Sequence, residues 1–128
     1  MRVESWYLSF VRKLSQKPFL AKVVRWMIVN FSSLLLREKL YESDHLYVVQ
    51  HPKPAYQVHY LILPKQPIAN VLEVDAESDF WSEVPQAIQI LVTDLLNDDE
   101  GYRLITNGGA YQDIPLLHIH FISGDTLD

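Results

Sequence analysis

The chain has 128 residues, 48% of them hydrophobic and 21% charged, which suits one domain with a core of its own. A net charge of −5 argues against a nucleic-acid-binding surface, which would be basic, but leaves room for a small anionic ligand held in one pocket. With no cysteine, disulfides, thiolate metal ligands and thiol nucleophiles are excluded.

The N-terminal stretch is the basic end, carrying Arg2, Arg12, Lys13, Lys17, Lys22, Arg25, Arg37 and Lys39. Phe19, Leu20, Val23, Val24, Met27, Phe31, Leu34 and Leu35 recur at roughly helical spacing and predict one or two amphipathic helices, with Pro18 in a first turn. Lys22 and Arg25 interrupt the apolar run, so it reads neither as a signal peptide nor as a membrane span, and a cytoplasmic protein is expected. Such a helix packs on the domain or on a partner; the alternative is a basic amphipathic helix, with Trp26, making peripheral contact with a membrane surface. Residues 1–34 are read as this N-terminal amphipathic helical extension and residues 35–128 as the domain proper.

Within the domain, Leu46-Tyr47-Val48-Val49-Gln50 and residues 57–63 read as strands joined by the proline-punctuated loop His51-Pro52-Lys53-Pro54-Ala55-Tyr56, an antiparallel pair. Val84, Ala87, Ile88, Leu91, Val92 and Leu95 form a helical stripe for the core, with Ser82 as the expected N-cap and Pro85 in the first turn. Residues 102–106 predict another strand. Asn107-Gly108-Gly109-Ala110-Tyr111-Gln112 predicts a glycine-rich loop, and residues 114–122 a final strand. Two hairpin-linked pairs flanking a helix favour an α+β domain built on an antiparallel sheet with one main core helix.

The final strand holds the feature that needs explaining. Side chains alternate on a strand, so His118 and His120 share a face with Leu116 and Ile122, while Leu117, Ile119 and Phe121 supply the core face. Three readings follow from the residues. His118 and His120, with His59 from another strand, have the donor set of a three-histidine metal centre. Alternatively, a neutral imidazole is a competent phosphoryl nucleophile near neutral pH, beside a glycine-rich loop whose backbone N–H groups suit an anion, with Asn107 and Gln112 as neutral donors. The third reading is structural, two hydrogen-bonded histidines without chemistry.

The run Gln112-Asp113-Ile114-Pro115-Leu116-Leu117-His118-Ile119-His120-Phe121-Ile122-Ser123-Gly124 resembles the signature of the histidine triad (HIT) superfamily, a glutamine followed by His-X-His-X-His, two apolar residues and a glycine. Residues 102–107 resemble the family's preceding strand, and residues 41–65 its first hairpin, with His59 at the place of an upstream histidine. The resemblance implies an antiparallel HIT-like sheet and a homodimer. It also implies hydrolysis or transfer of a nucleoside monophosphate group through a covalent nucleotidyl-histidine, with no metal or cofactor. It assigns the nucleophile to His118, phosphate contact or site orientation to His120, and a place near the leaving group to His59. Asn107, Gln112 and Asp113 fall at phosphate-binding loop positions, and Val49, His51 and Pro52 in the nucleoside pocket. Two departures stand out. Leu116 takes the first triad position, and His51 the place where many members carry an acid for the ribose hydroxyls. They motivate the alternative of a degenerate HIT domain that binds a nucleotide or other phosphorylated ligand without turning it over.

Overall fold

A computed structural model of the chain describes residues 38–66, 68–97 and 100–127. The helices and the membrane or partner contact expected within residues 1–34 lie outside the described residues. Among those described, no helix is long and apolar enough to cross a membrane.

Five strands make one antiparallel sheet: β1 (Tyr41–Glu42), β2 (Leu46–Gln50), β3 (Tyr56–Pro64), β4 (Arg103–Ile105) and β5 (Ile119–Thr126). Their spatial order is β1-β2-β3-β5-β4. One long helix, α1 (Asp79–Leu95), covers one face. The α+β architecture is the expected one, with β1 as an additional short edge strand beyond the elements read from the sequence.

Alternation sorts the two faces. Leu46 and Val48 of β2, Ile62 of β3, and Ile119 and Phe121 of β5 join Phe80, Val84, Ala87 and Leu91 of α1 in one buried cluster. The opposite face carries Val49, His59, Leu61, His120 and Ile122, since cross-strand partners project from the same side.

The helix starts one turn earlier than its sequence suggested. Ser78, not Ser82, is the N-cap, its hydroxyl accepting from the Trp81 N–H at 3.5 Å. Phe80 extends the apolar stripe N-terminally and is buried, which gives burial a reason to propagate the helix through it. Pro85 is consequently inside the helix rather than in its first turn, on the exposed side, where its ring stays clear of the core. At the other end Leu95 is 45% exposed and Leu96 takes the buried position.

The last strand also shifts. It spans Ile119–Thr126 rather than residues 114–122. Pro115 has no N–H to give, the Leu116 N–H turns back to the Ile114 carbonyl at 2.8 Å, and the Leu117 N–H goes to the Ile68 carbonyl at 2.8 Å. The chain is therefore bent and tied to the loop before α1 until Ile119, where pairing with Ile62 begins. Beyond Ser123 the strand continues because Gly124 adopts φ +80°, a conformation that suits glycine, against Gln57 of β3.

Candidate active site

The histidines of the sheet converge. His59 in β3 is 5% exposed, and its Nε2 lies 2.9 Å from His120 Nδ1. His51 follows β2, and its N–H donates to the His59 carbonyl at 2.9 Å. That register stacks its ring on His59 with centroids 4.2 Å apart and brings it within 5.8 Å of His120. His118, just before β5, meets His120 edge-on at 4.9 Å. The sequence pairing of His118, His120 and His59 is thus one cluster, and His51 joins it.

Hydrogen-bond partners fix the ring protons. The Leu116 carbonyl, 2.7 Å from His118 Nδ1, can only accept. Nδ1 therefore carries the hydrogen, and neutral His118 keeps its lone pair on Nε2. The Ala55 N–H donates to His59 Nδ1 at 2.9 Å, which puts the proton of neutral His59 on Nε2 and makes it the donor to His120 Nδ1. His120 then carries its own hydrogen on Nε2. The Lys53 N–H donates to His51 Nδ1 at 2.9 Å, leaving His51 an Nε2 donor as well. One imidazole of the group thus offers a lone pair, and its neighbours offer N–H groups.

The site is held neutral. Burial lowers the pKa of His118, with the Leu116 carbonyl and the charge of Asp113 opposing it. Burial also lowers His59. His120 is pushed down to about 3, first by burial and then by repulsion from His118, His59 and His51. A neutral imidazole at pH 7 has the lone pair a nucleophile needs.

Ring nitrogens of His51, His59 and His120 lie within 4.8 Å of one another, a different set from the His118, His120 and His59 of the metal reading. Metal-bound histidines usually donate their second ring N–H to an acceptor. Here His51 and His59 accept at Nδ1 from backbone N–H groups, and the lone pair of His120 Nδ1 is taken by His59. The set is arranged for donation more than for ligation.

Other singled-out residues are placed differently. Gln112 gives its amide hydrogens to the Ala69 carbonyl at 2.6 Å and the Ile114 carbonyl at 2.8 Å, so in this conformation it braces the loop against its neighbour and has no donor left for a phosphate. Asp113 is exposed, and its charge acts on His118. Asn107 is half-buried in the loop after β4, Val49 is buried beside Leu61, and Pro52 follows His51 in the β2–β3 loop. Leu116 is 2% exposed: an apolar side chain packed inward, its carbonyl still serving His118. Sequence reasoning passed over that carbonyl, since any residue would supply it.

Comparison with known proteins settles the lineage. The HIT domain family matches residues 36–127. This chain belongs to the HIT domain family. It is similar to an uncharacterized HIT-like protein of Chlamydia muridarum, 30% identical over 93 residues that cover 70% of this chain and 73% of that one. A Synechococcus elongatus HIT-like protein is 34% identical over 93 residues, 69% of this chain and 79% of the other. Among solved structures, a HIT family hydrolase from Clostridium thermocellum superposes with a TM-score of 0.64 at 33% identity, covering 78% of this chain and 87% of its own. A histidine triad protein from Clostridium difficile shares the fold, with a TM-score of 0.65 at 24% identity over 76% of this chain and 87% of that one. The antiparallel sheet with one main helix is the HIT fold, and HIT membership carries a nucleotide-related function in general terms.

Proposed function

We propose that this HIT protein is a nucleotide hydrolase or nucleotidyl transferase acting on a nucleoside monophosphate ester or phosphoramidate through a nucleotidyl-His118 intermediate. The observation that carries this reading is the 2.7 Å contact between His118 Nδ1 and the Leu116 carbonyl. It aims the lone pair of a neutral imidazole out of Nε2 and gives the ring an acceptor that strengthens as positive charge develops on it.

In the reaction the Nε2 lone pair forms the P–N bond to the α-phosphorus, the bond from phosphorus to the leaving group breaks, and the leaving atom takes up a proton. Water then attacks phosphorus, releases the nucleoside monophosphate and returns the electron pair to Nε2. The His120 N–H, supported through Nδ1 by His59, is the nearest donor for a phosphate oxygen. Asn107 adds a neutral donor. Replacement of the first triad position by Leu116 removes an imidazole but keeps the carbonyl, so the tautomer of the nucleophile survives. His51, Val49 and Pro52 flank the nucleoside.

We assign no metal or cofactor to this chemistry, place the protein in the cytoplasm, and expect a homodimer. The outer edge of β4, with Leu104 43% and Ile105 36% exposed, is the strand a second copy would extend. Residues 1–34 are proposed as a separate helical extension that contacts a partner or a membrane surface.

A second reading is favoured by the buried Leu116 and by His51: nucleotide binding without turnover. One experiment separates the two. The protein is incubated with adenosine 5′-phosphoramidate and its guanosine counterpart, quenched without acid, and weighed intact. A nucleotidyl adduct absent from His118→Ala supports the enzyme. Nucleotide binding with neither adduct nor product supports the binding module.

A further inference from the structure

The loop between β2 and β3 spends its N–H groups on histidines. In His51-Pro52-Lys53-Pro54-Ala55 the prolines have no N–H to give, and each of the other residues gives its own to an imidazole residue. The His51 N–H goes to the His59 carbonyl at 2.9 Å, the Lys53 N–H to His51 Nδ1 at 2.9 Å, and the Ala55 N–H to His59 Nδ1 at 2.9 Å. Proline fixes φ at positions 52 and 54 and biases the residue before each away from helical backbone. Few loop conformations therefore compete with the one that makes these bonds.

The last of these bonds settles a choice that the rings alone leave open. Two neutral imidazoles joined by one hydrogen bond can place their protons in two ways. In the first, His59 Nε2 donates to His120 Nδ1, and His120 carries its hydrogen on Nε2. In the second, His120 Nδ1 donates to His59 Nε2, His59 carries its hydrogen on Nδ1, and His120 presents a lone pair at Nε2. The 2.9 Å between the two nitrogens suits either. Ala55 removes the second, in which its N–H and a hydrogen on His59 Nδ1 would face each other across 2.9 Å. The outcome matters to an anion: an N–H on His120 Nε2 attracts a phosphate oxygen, and a lone pair there repels it. Burial keeps both rings neutral, so the choice is between tautomers and not between charge states.

We infer that the backbone N–H of Ala55 is a positioning group for the phosphoryl site: it fixes the tautomer of His59, His59 fixes that of His120, and the groove thereby meets a phosphate with a hydrogen-bond donor. The inference rests on the nucleotide reading above and deepens it. The polarity is reversed at the nucleophile, where the Leu116 carbonyl puts the hydrogen on His118 Nδ1. A backbone amide thus makes one imidazole a donor, and a backbone carbonyl leaves the other its electron pair. The prolines at 52 and 54 hold the loop that carries the amide.

Long-range proton–nitrogen NMR spectra of the isotope-labelled full chain, at about pH 8 where imidazole is neutral, read the tautomer of each ring directly. Wild type should carry hydrogen on Nε2 of His59 and His120 and on Nδ1 of His118. Two variants remove the Ala55 N–H. One is Ala55→Pro; the other is the backbone ester with lactic acid at position 55, which exchanges N–H for oxygen and keeps the side chain. In either, His59 and His120 should move to their Nδ1–H forms. Turnover of adenosine 5′-phosphoramidate should show kcat lowered at least about tenfold, because a donor aimed at developing charge is lost. Ala55→Ser retains the N–H and should retain both tautomers. For a protein that binds AMP without turnover, AMP affinity takes the place of kcat. A wild-type His120 with its hydrogen on Nδ1, tautomers unmoved in the ester, or a switch of tautomers with no loss in kcat or affinity overturns the positioning role alone. Absence of both turnover and AMP binding in wild type overturns the nucleotide reading and the role with it, whichever tautomers the spectra show.

Discussion

Histidine is used in two opposite ways in this molecule. In the turn between β1 and β2, His45 Nδ1 lies 2.5 Å from Glu83 Oε2 and its Nε2 3.4 Å from Asp79 Oδ2. Its backbone N–H also donates to Glu83 Oε1 at 2.9 Å, and the Ser43 hydroxyl bonds the same oxygen. The hydrogen bond to Glu83, aided by the charges of Glu83, Asp79 and Asp44, raises the His45 pKa against a smaller opposing effect of burial. On the far face of the sheet, His59, His118 and His120 contact imidazoles and backbone groups, and burial drives their pKa values down. Set between carboxylates that raise its pKa, an imidazole fastens a hairpin to the first turns of a helix. Held neutral with its tautomer fixed, it retains an electron pair for chemistry.

The sharpest way to break this contrast is to exchange each histidine for glutamine. His118→Gln should reduce turnover by roughly 10⁴-fold or more, as loss of a nucleophile does, while a cooperative thermal melt persists. His45→Gln should leave kcat/KM within about twofold and lower the melting temperature instead. Steady-state kinetics beside calorimetry reads both, and comparable loss of turnover in the two variants would collapse the distinction. Next in size is Leu116→Ala. Removing a side chain that is 2% exposed should cost about 2–5 kcal/mol of stability. Turnover per folded molecule should fall less than about tenfold, because the carbonyl that holds His118 remains. A rate loss as deep as that of His118→Gln would show that the side chain, not the carbonyl, supports the nucleophile.

What could be read from the chain beforehand follows from the range of the interactions. β2, β3 and the sorting of Leu117, Ile119 and Phe121 from His118 and His120 depend on alternation, which is local and survives in any sheet partner. The stripe from Val84 to Val92 was legible for the same reason. The start of α1 was not, because Ser78 and Ser82 are both competent caps and burial of Phe80 against the sheet decides between them. Pro115 looked like a strand opening until the Leu117 N–H found Ile68, a partner 49 positions away. Gln112 matched a phosphate-loop position by spacing, yet its donors were taken by Ala69 and Ile114. The Glu83 clamp on His45 spans 38 positions, and no pattern in either segment announces it.

The pH dependence of the two histidine classes runs in opposite directions. An unfolded histidine titrates near 6.5. For His59, His118 and His120 the folded values lie lower. The unfolded chain then binds more protons below about pH 6.5, and these residues make the fold less stable as pH falls. The same shift keeps His118 unprotonated, so kcat/KM should hold below pH 6.5 before its acid limb begins; a limb centred at or above 6.5 would contradict the neutral site.

His45, the smallest effect, has the reverse sign. Its folded value is raised, so its contribution is fully present below about pH 6.5 and is lost as pH rises through the folded value. Burial pushes the Glu83 pKa up, but the hydrogen bonds from the Ser43 hydroxyl and from the backbone and ring of His45, with the charge of His45, together outweigh it and lower the value. Its contribution is present above its ordinary value and lost as pH falls through the folded one. Both therefore act together at mildly acidic pH. The stability difference between wild type and His45→Gln isolates the clamp, because both proteins carry the same sheet histidines and those cancel. Followed by urea unfolding, that difference should be larger near about pH 5.5 than near about pH 8.5. A difference that stays flat or grows with pH would mean that His45 holds the hairpin as a neutral hydrogen-bond donor, and that its two carboxylates leave its charge state unchanged.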